Sequence, residues 1–258
     1  MELNKIYNED CLLTMAKMPD NFIDLTLTSP PYDNLRDYKG YTFDFESIAR
    51  ELFRITKSGG VVVWIVGDAT INGSESGTSF NQALYFKEIG FNLHDTMIYR
   101  KQNPVPLTHN RYEQCFEYMF VFSKGRPKTF NPYYEDSKTM GTYKLCRKSG
   151  RVKESSFRSR EEVTETKQNK IKVNIWNYLV GMKSDNGQHP AIFPEKLAID
   201  HIKSWSNEGD LIYDPMIGSG TTGKMAVMLK RNYIGSEISA EYTKLANERI
   251  KSISNPLF

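Results

Sequence analysis

Cysteine is scarce in this chain. Cys11, Cys115 and Cys146 are the three among 258 residues, they lie far apart, and no Cys-x-x-Cys occurs. That excludes a disulfide framework and a thiolate zinc site as organising features, and it points to a reducing, cytoplasmic setting. Histidine is equally sparse: His94, His109, His189 and His201 show no metal-ligand spacing, so no metal is expected. No apolar run approaches the ~20 residues of a membrane helix, and no membrane association is expected. The first residues, Met1-Glu2-Leu3-Asn4-Lys5, lack the basic flank and apolar core of a signal peptide. Repeats and low-complexity tracts are absent too. What remains is an ordinary globular composition, with 39% hydrophobic and 25% charged residues, long enough for one large α/β domain or one domain with an inserted module.

The formal net charge of +3 says little, but its distribution says more. Residues 138–172 hold eleven Lys or Arg against four Glu, a local +7 that leaves the rest of the chain near −4. A basic patch on a mildly acidic protein fits a polyanionic partner, whose phosphates supply sequence-independent affinity; a solvated surface loop is the plainer alternative. From about residue 126 to 175 apolar residues thin out and Ser, Thr, Lys, Arg and Glu dominate. That stretch reads as an inserted recognition module or as a segment that orders on binding. It separates residues 1–125 from residues 176–258. On its N-terminal side, residues 23–27 form a short apolar run typical of a buried parallel strand. A helix with Ile48, Ala49 and Leu52 follows, and Gly59-Gly60 is expected to end the helical region before a strand at 61–66. On its C-terminal side come a helix opened by Pro194, a strand at 211–213, a Gly-rich turn, a helix, a strand at 233–235 and an amphipathic helix. Alternating strands and helices predict a doubly wound, mostly parallel sheet.

Two loops carry chemistry. Asp214-Pro215-Met216-Ile217-Gly218-Ser219-Gly220-Thr221-Thr222-Gly223 follows a predicted strand and opens a predicted helix. Gly218, Gly220 and Gly223 satisfy G-x-G-x-x-G, and Glu237 stands at the end of the next strand. Glycines admit a close backbone approach to a nucleoside cofactor, and an acidic side chain can grip both ribose hydroxyls. Spacing alone does not choose between a dinucleotide and S-adenosylmethionine. The Asp214 carboxylate suits a cationic amino-acid moiety better than a pyrophosphate. Too little chain follows Thr222 to build a dinucleotide fold, so the N-terminal half must supply the missing strands. Both features favour S-adenosylmethionine.

The second loop, Thr28-Ser29-Pro30-Pro31-Tyr32, leaves the strand at 23–27 where open α/β sheets bind ligands. An exocyclic amine on a nucleobase is a weak nucleophile, because its lone pair is delocalised into the ring. Hydrogen-bond acceptors on its two protons favour a tetrahedral nitrogen with the lone pair free to attack. The Ser29 hydroxyl and the Pro30 carbonyl are such acceptors. Consecutive prolines stiffen the loop and preorganise them. Tyr32 offers a π-face on which an extruded base can stack.

Taken together, the two loops and their order, catalytic before cofactor, resemble the beta class of S-adenosylmethionine-dependent DNA amino-methyltransferases. The resemblance covers nearly the whole chain and implies a circularly permuted, seven-stranded, Rossmann-like sheet with an inserted DNA-recognition module. It implies Ser29, Pro30, Pro31 and Tyr32 as catalytic residues. For the cofactor it implies Asp10, Cys11, Phe193, Asp214, Pro215, Gly218, Ser219, Gly220, Thr221, Thr222 and Glu237, with Asp10-Cys11 lining the adenine pocket. In that family a Ser at the position of Ser29 is typical of N4-cytosine enzymes and an Asp of N6-adenine enzymes; the expectation is therefore N4 of cytosine in double-stranded DNA, with N6 of adenine as the alternative. The carbon-5 cytosine enzymes present a Pro-Cys nucleophile, and no Pro-Cys occurs here. Such amino-methyltransferases commonly belong to bacterial or phage restriction-modification systems and are often dimers, which implies a companion restriction endonuclease and a homodimer as partners.

Overall fold

A computed structural model of the protein describes residues 1–31, 43–103, 111–136, 142–146, 161–165, 169–179 and 194–254. In chain order the elements are β1 (Lys5–Tyr7), α1 (Cys11–Ala16), β2 (Ile23–Thr28), α2 (Phe45–Ile55), β3 (Thr56–Val66), β4 (Thr70–Ile71), β5 (Ser74–Glu75), α3 (Thr78–Glu88), β6 (Asn92–Lys101) and β7 (Phe116–Ser123). They continue with β8 (Tyr134–Asp136), β9 (Thr142–Cys146), β10 (Glu161–Glu165), β11 (Asn169–Ile171), β12 (Ile175–Tyr178), α4 (Glu195–Trp205), β13 (Leu211–Asp214), α5 (Thr221–Met228), β14 (Asn232–Ser236) and α6 (Ala240–Ser254). No helix among the described residues is long and apolar enough to cross a membrane.

The main sheet has the order β1-β14-β13-β2-β3-β7-β6-β12. The last two strands of the chain, β13 and β14, lie between β1 and β2, and both pairings with those neighbours are parallel. This interleaving is what the permuted reading requires. β7 runs antiparallel to both of its neighbours, and β12 adds parallel to β6 at the edge. The sheet therefore has eight strands rather than the expected seven. The additional strand β12 alternates in burial, with Trp176 and Tyr178 inward and Ile175 and Asn177 outward.

Strand β7 shows how the two faces are covered. Phe120 and Phe122 point to the face that carries Phe86 of α3, whereas Met119 meets His201 of α4. Period-2 alternation thus places α3 and α4 on opposite faces. Helix α1 packs on α2 and α2 on α3, whereas α4 packs on α5 and α5 on α6. On the first face Trp64, Phe86, Phe91 and Phe122 form an aromatic cluster with ring centroids 4.5–6.3 Å apart. Helix α2 turns Ile48, Ala49, Leu52 and Ile55 inward at helical spacing, and Asp44 caps its start by accepting from the Ser47 amide.

Gly59 and Gly60 do not precede a strand; they lie within β3. Gly59 has φ +80, its amide donates to the Lys124 carbonyl, and β3 shifts register against β2 at this point. A bulge absorbs the glycines without ending the strand.

Residues Pro132–Val173 form a compact unit of their own. It contains two antiparallel pairs, β8 with β11 and β9 with β10. Residues 126–131 and 174–175, expected within the insert, belong instead to the unit that carries the main sheet. Backbone bonding accounts for this: Lys128 donates to the Gly59 carbonyl, Asn131 to Ser204, and Ile98 to Asn174.

Phe86 is fully buried and touches rings on three elements. Phe86→Ala should lower unfolding stability by about 3–5 kcal/mol, as read by urea denaturation. A loss below about 1 kcal/mol would remove this cluster as the centre of the core.

Candidate active site

Strands β2 and β13 are adjacent and parallel, with Leu25 opposite Ile212 and Thr26 opposite Tyr213. The Ser29-Pro30-Pro31 loop and the Gly-rich loop therefore leave neighbouring strands at the same, carboxyl edge of the sheet. Pro30 is buried, while Ser29 and Pro31 are half-buried. Tyr32 and Phe193 lie outside the described residues.

The Asp214 carboxylate joins the two loops. It is 2% exposed. Oδ1 accepts from the Thr28 hydroxyl at 2.8 Å and from the Met216 amide at 3.1 Å; Oδ2 accepts from the Thr222 hydroxyl at 2.7 Å. Thr28 immediately precedes Ser29, and Thr222 sits in the first turn of α5. Burial raises the Asp214 carboxyl to about 6, against the lowering effect of the Thr222, Thr28 and Met216 bonds. Asp214 thus spends most of its acceptor capacity on protein donors. Sequence reasoning assigned it to the cofactor's ammonium; the structure gives it the further work of tying one loop to the other, which depends on Thr28, a residue the motif alone did not single out.

Glu237 follows β14, next to β13. Its Oε2 accepts from the Gly218 amide at 3.0 Å and its Oε1 from the Ser239 amide at 2.8 Å. Burial raises its carboxyl, partly offset by these backbone amides. Each oxygen keeps a further lone pair for an incoming hydroxyl. Gly218 has φ +51 and Gly220 φ +85. A Cβ on Gly220 would stand 2.8 Å from the Ala246 Cβ of α6, so this glycine serves the close packing of α5 on α6 as well as the turn. Ser219 is held from behind: Arg249 donates to its carbonyl at 2.6 Å and its hydroxyl at 2.7 Å, and also to Glu195, which Lys224 joins at 2.7 Å. Arg249 and Glu195 had no motif to announce them.

On the other side of Glu237, its amide donates to the Tyr7 carbonyl, so β1 delivers Asp10 and Cys11 to the same edge. Asp10 caps α1 through the Leu12 amide. Cys11 is buried, and burial first, then Asp10, pushes its thiol up to about 12, which keeps it neutral. Pro215, Gly218, Ser219, Gly220, Thr221 and Thr222 thus line one loop, flanked by Asp10, Cys11 and Glu237. A nucleoside cofactor with an amino-acid tail fits this set. The Thr221 hydroxyl is buried with no hydrogen-bond partner among the described residues, and Glu237 keeps acceptor capacity for a ribose.

The fold is a Rossmann-like sheet with a nucleoside-cofactor edge, and the comparisons with known proteins place it further. The DNA methylase model of the N6/N4 type matches residues 23–248. The chain is 55% identical over 243 residues to the orphan methyltransferase M.BamHII of Bacillus amyloliquefaciens, covering 90% of each. It is 25% identical over 289 residues to the type II methyltransferase M.SmaI of Serratia marcescens, covering 95% of this chain and 90% of that one. The cytosine-N4-specific PvuII DNA methyltransferase superposes with a TM-score of 0.69 at 22% identity, over 95% of this chain and 85% of that one. M1.HpyAVI, solved as a complex with SAM, superposes with a TM-score of 0.59 at 22% identity, over 95% of this chain and 98% of that one. The chain belongs to the N6/N4 DNA methylase family.

Two outcomes follow from this geometry. The Asp214 carboxyl lies above its unfolded value of 3.8, so the folded protein binds its proton more tightly, and this group's contribution to stability falls as pH rises through roughly 4 to 6. The stability deficit of Asp214→Asn should therefore shrink by on the order of 2–3 kcal/mol between about pH 4 and pH 7.5. Urea denaturation of the cofactor-free protein reads it, and a pH-independent deficit would contradict the raised carboxyl. Gly220→Ala should cost about 2–4 kcal/mol, combining overpacking with left-handed strain. Gly209→Ala, at φ +88 with nothing within 4 Å of its Cβ, should cost about 1 kcal/mol from strain alone. Equal melting shifts would rule out the contact with Ala246 as the cause.

Proposed function

We propose that this DNA methylase transfers a methyl group from S-adenosylmethionine to the exocyclic N4 amine of cytosine, extruded from duplex DNA. The observation that carries the reading is the bond from Thr28 to Asp214, which sets the Ser29-Pro30 loop beside the Gly-rich loop on adjacent parallel strands. Bound S-adenosylmethionine supplies an electrophilic methyl on a sulfonium. Glu237 holds the ribose, while Asp10 and Cys11 border the adenine side of the cofactor edge.

The Ser29 hydroxyl oxygen and the Pro30 carbonyl accept from the two protons of the target amine. They hold it with its lone pair directed at the methyl carbon. Burial of Pro30 and anchoring of Thr28 fix these acceptors before substrate arrives. No covalent intermediate with the protein is required, consistent with a Cys11 thiol that stays protonated. Tyr32 stacks on the extruded base, whose removal from the duplex costs a few kcal/mol. Ser29, rather than an Asp, supports cytosine over adenine, in line with the family pattern.

The test incubates the protein with unmodified duplex DNA and isotopically labelled S-adenosylmethionine, then digests to nucleosides for mass spectrometry. Label is expected in N4-methylcytosine. Label in N6-methyladenine would retain the mechanism and overturn the inference from Ser29. Ser29→Ala should lower kcat by about 100-fold with cofactor affinity by calorimetry within about threefold; unchanged kcat would remove the hydroxyl from the mechanism.

A further inference from the structure

The carboxyl edge of the main sheet continues past the catalytic loop to an open cleft of about 400 Å³, lined by Arg100, Lys101, Gln102, Cys115 and Asn177. These residues come from three strand ends that converge by pairing. Arg100 lies opposite Phe116 on β7 and opposite Asn177 on β12. The Gln102 amide donates to the Tyr178 carbonyl, and the Lys101 amide to that of Cys115, so the backbone around the cleft is fixed. The side chains are not equally committed. Lys101 is paired with Glu117 at 2.7 Å. Arg100, Gln102 and Asn177 are exposed and make no side-chain hydrogen bond or ion pair among the described residues. The cleft therefore presents a guanidinium and two carboxamides with donor capacity, and one positive charge without an ion-pair partner among the described residues.

We infer that this cleft seats a backbone phosphate of the DNA substrate, on the same edge of the sheet as the catalytic loop. A phosphodiester carries one negative charge and exposed oxygens, which matches a guanidinium flanked by amide donors. The spacing agrees. β6 lies three places from β2 in the sheet, about 14 Å at ~4.8 Å per strand. A DNA strand carries a phosphate every ~3.4 Å along its axis. A DNA strand that offers a base to Ser29 and runs along this edge places a phosphate at the cleft about four nucleotides away. Phe116, paired with Arg100 and next to Cys115 in the chain, borders the cleft. The inference rests on the DNA methylase reading and adds a positioning contact outside the two family loops.

The experiment measures duplex binding by fluorescence anisotropy across a salt series, on two duplexes of unrelated sequence. Arg100→Ala with Gln102→Ala should weaken binding about tenfold on both duplexes near 0.1 M salt and reduce the slope of log K against log salt by about 1. Lys87→Ala, an equal change of charge at the far end of α3, should shift affinity less than twofold. A loss confined to one duplex would indicate base reading and overturn the phosphate assignment. Unchanged affinity and slope in the double variant would overturn it as well. If wild-type protein binds no duplex, the methylase reading itself has failed, which separates the two. A second readout needs no variant of the cleft: in a Cys146→Ser background, duplex DNA should slow maleimide labelling of the half-exposed Cys115 at least fivefold. Buried Cys11, its thiol pushed up to about 12, contributes little label. No protection of Cys115 would count against a phosphate seated there.

Discussion

A carboxylate buried at the junction of β13, β2 and α5 has no water to solvate it, and leaving it without partners would cost several kcal/mol. Asp214 avoids that cost only because Thr28, Thr222 and the Met216 amide all donate to it. The converse holds with equal force. The three donors can be satisfied together only if the end of β2, the start of the Gly-rich loop and the first turn of α5 keep one mutual geometry. A single side chain therefore makes the spacing of two functional loops a condition of a stable fold. This is the arrangement methyl transfer needs, since an ångström of drift between donor and acceptor costs orders of magnitude in rate.

The Gly-rich loop is stiffened from its other side by packing rather than by hydrogen bonds to a ligand. Gly220 and Gly223 face Ala246 and Ile250 of α6 so closely that any Cβ would collide. Arg249, one turn along the same helix, reaches the Ser219 carbonyl. Helix α6 thus holds the loop by shape and by charge at once, while Glu237 grips its opposite end through the Gly218 amide. The glycine pattern that reads as a cofactor signature is, in this chain, equally a helix-packing signature. The two demands coincide because a loop that lets a ligand approach must also be backed by something that does not move.

The sequence made legible whatever depends on neighbours in the chain. The buried strand at 23–27, the helix behind Pro194, the Gly-rich turn and the acidic residue after β14 are local patterns with local causes. What escaped depends on partners far along the chain. Gly59 and Gly60 looked like a terminator because glycine pairs usually are; pairing with β2 and the Lys124 carbonyl drew them into β3 as a bulge. β12 is four residues with only Trp176 and Tyr178 buried, and it exists because β6 offers an edge to pair with. The link of Thr28 to Asp214 spans 186 positions, and Arg249 reaches Ser219 across 30. No spacing rule covers such distances, and only the permuted topology brings them into register.

That topology also divides labour along one edge of one sheet. From β1 through β14 to β13 the strand ends carry acidic groups, Asp10, Glu237 and Asp214, suited to ribose hydroxyls and an ammonium. At β2 comes the neutral, proline-stiffened loop, to which the proposed mechanism assigns the target amine. Beyond β3, at the ends of β6 and β12, the donors without a partner among the described residues are Arg100, Gln102 and Asn177, suited to an anion. Carboxylates repel a polyanion and a guanidinium repels a cation, so an edge with the two signs mixed would weaken the binding of both ligands. Separating the signs by the width of several strands gives each ligand its own end, and under the proposed mechanism the two meet at Ser29.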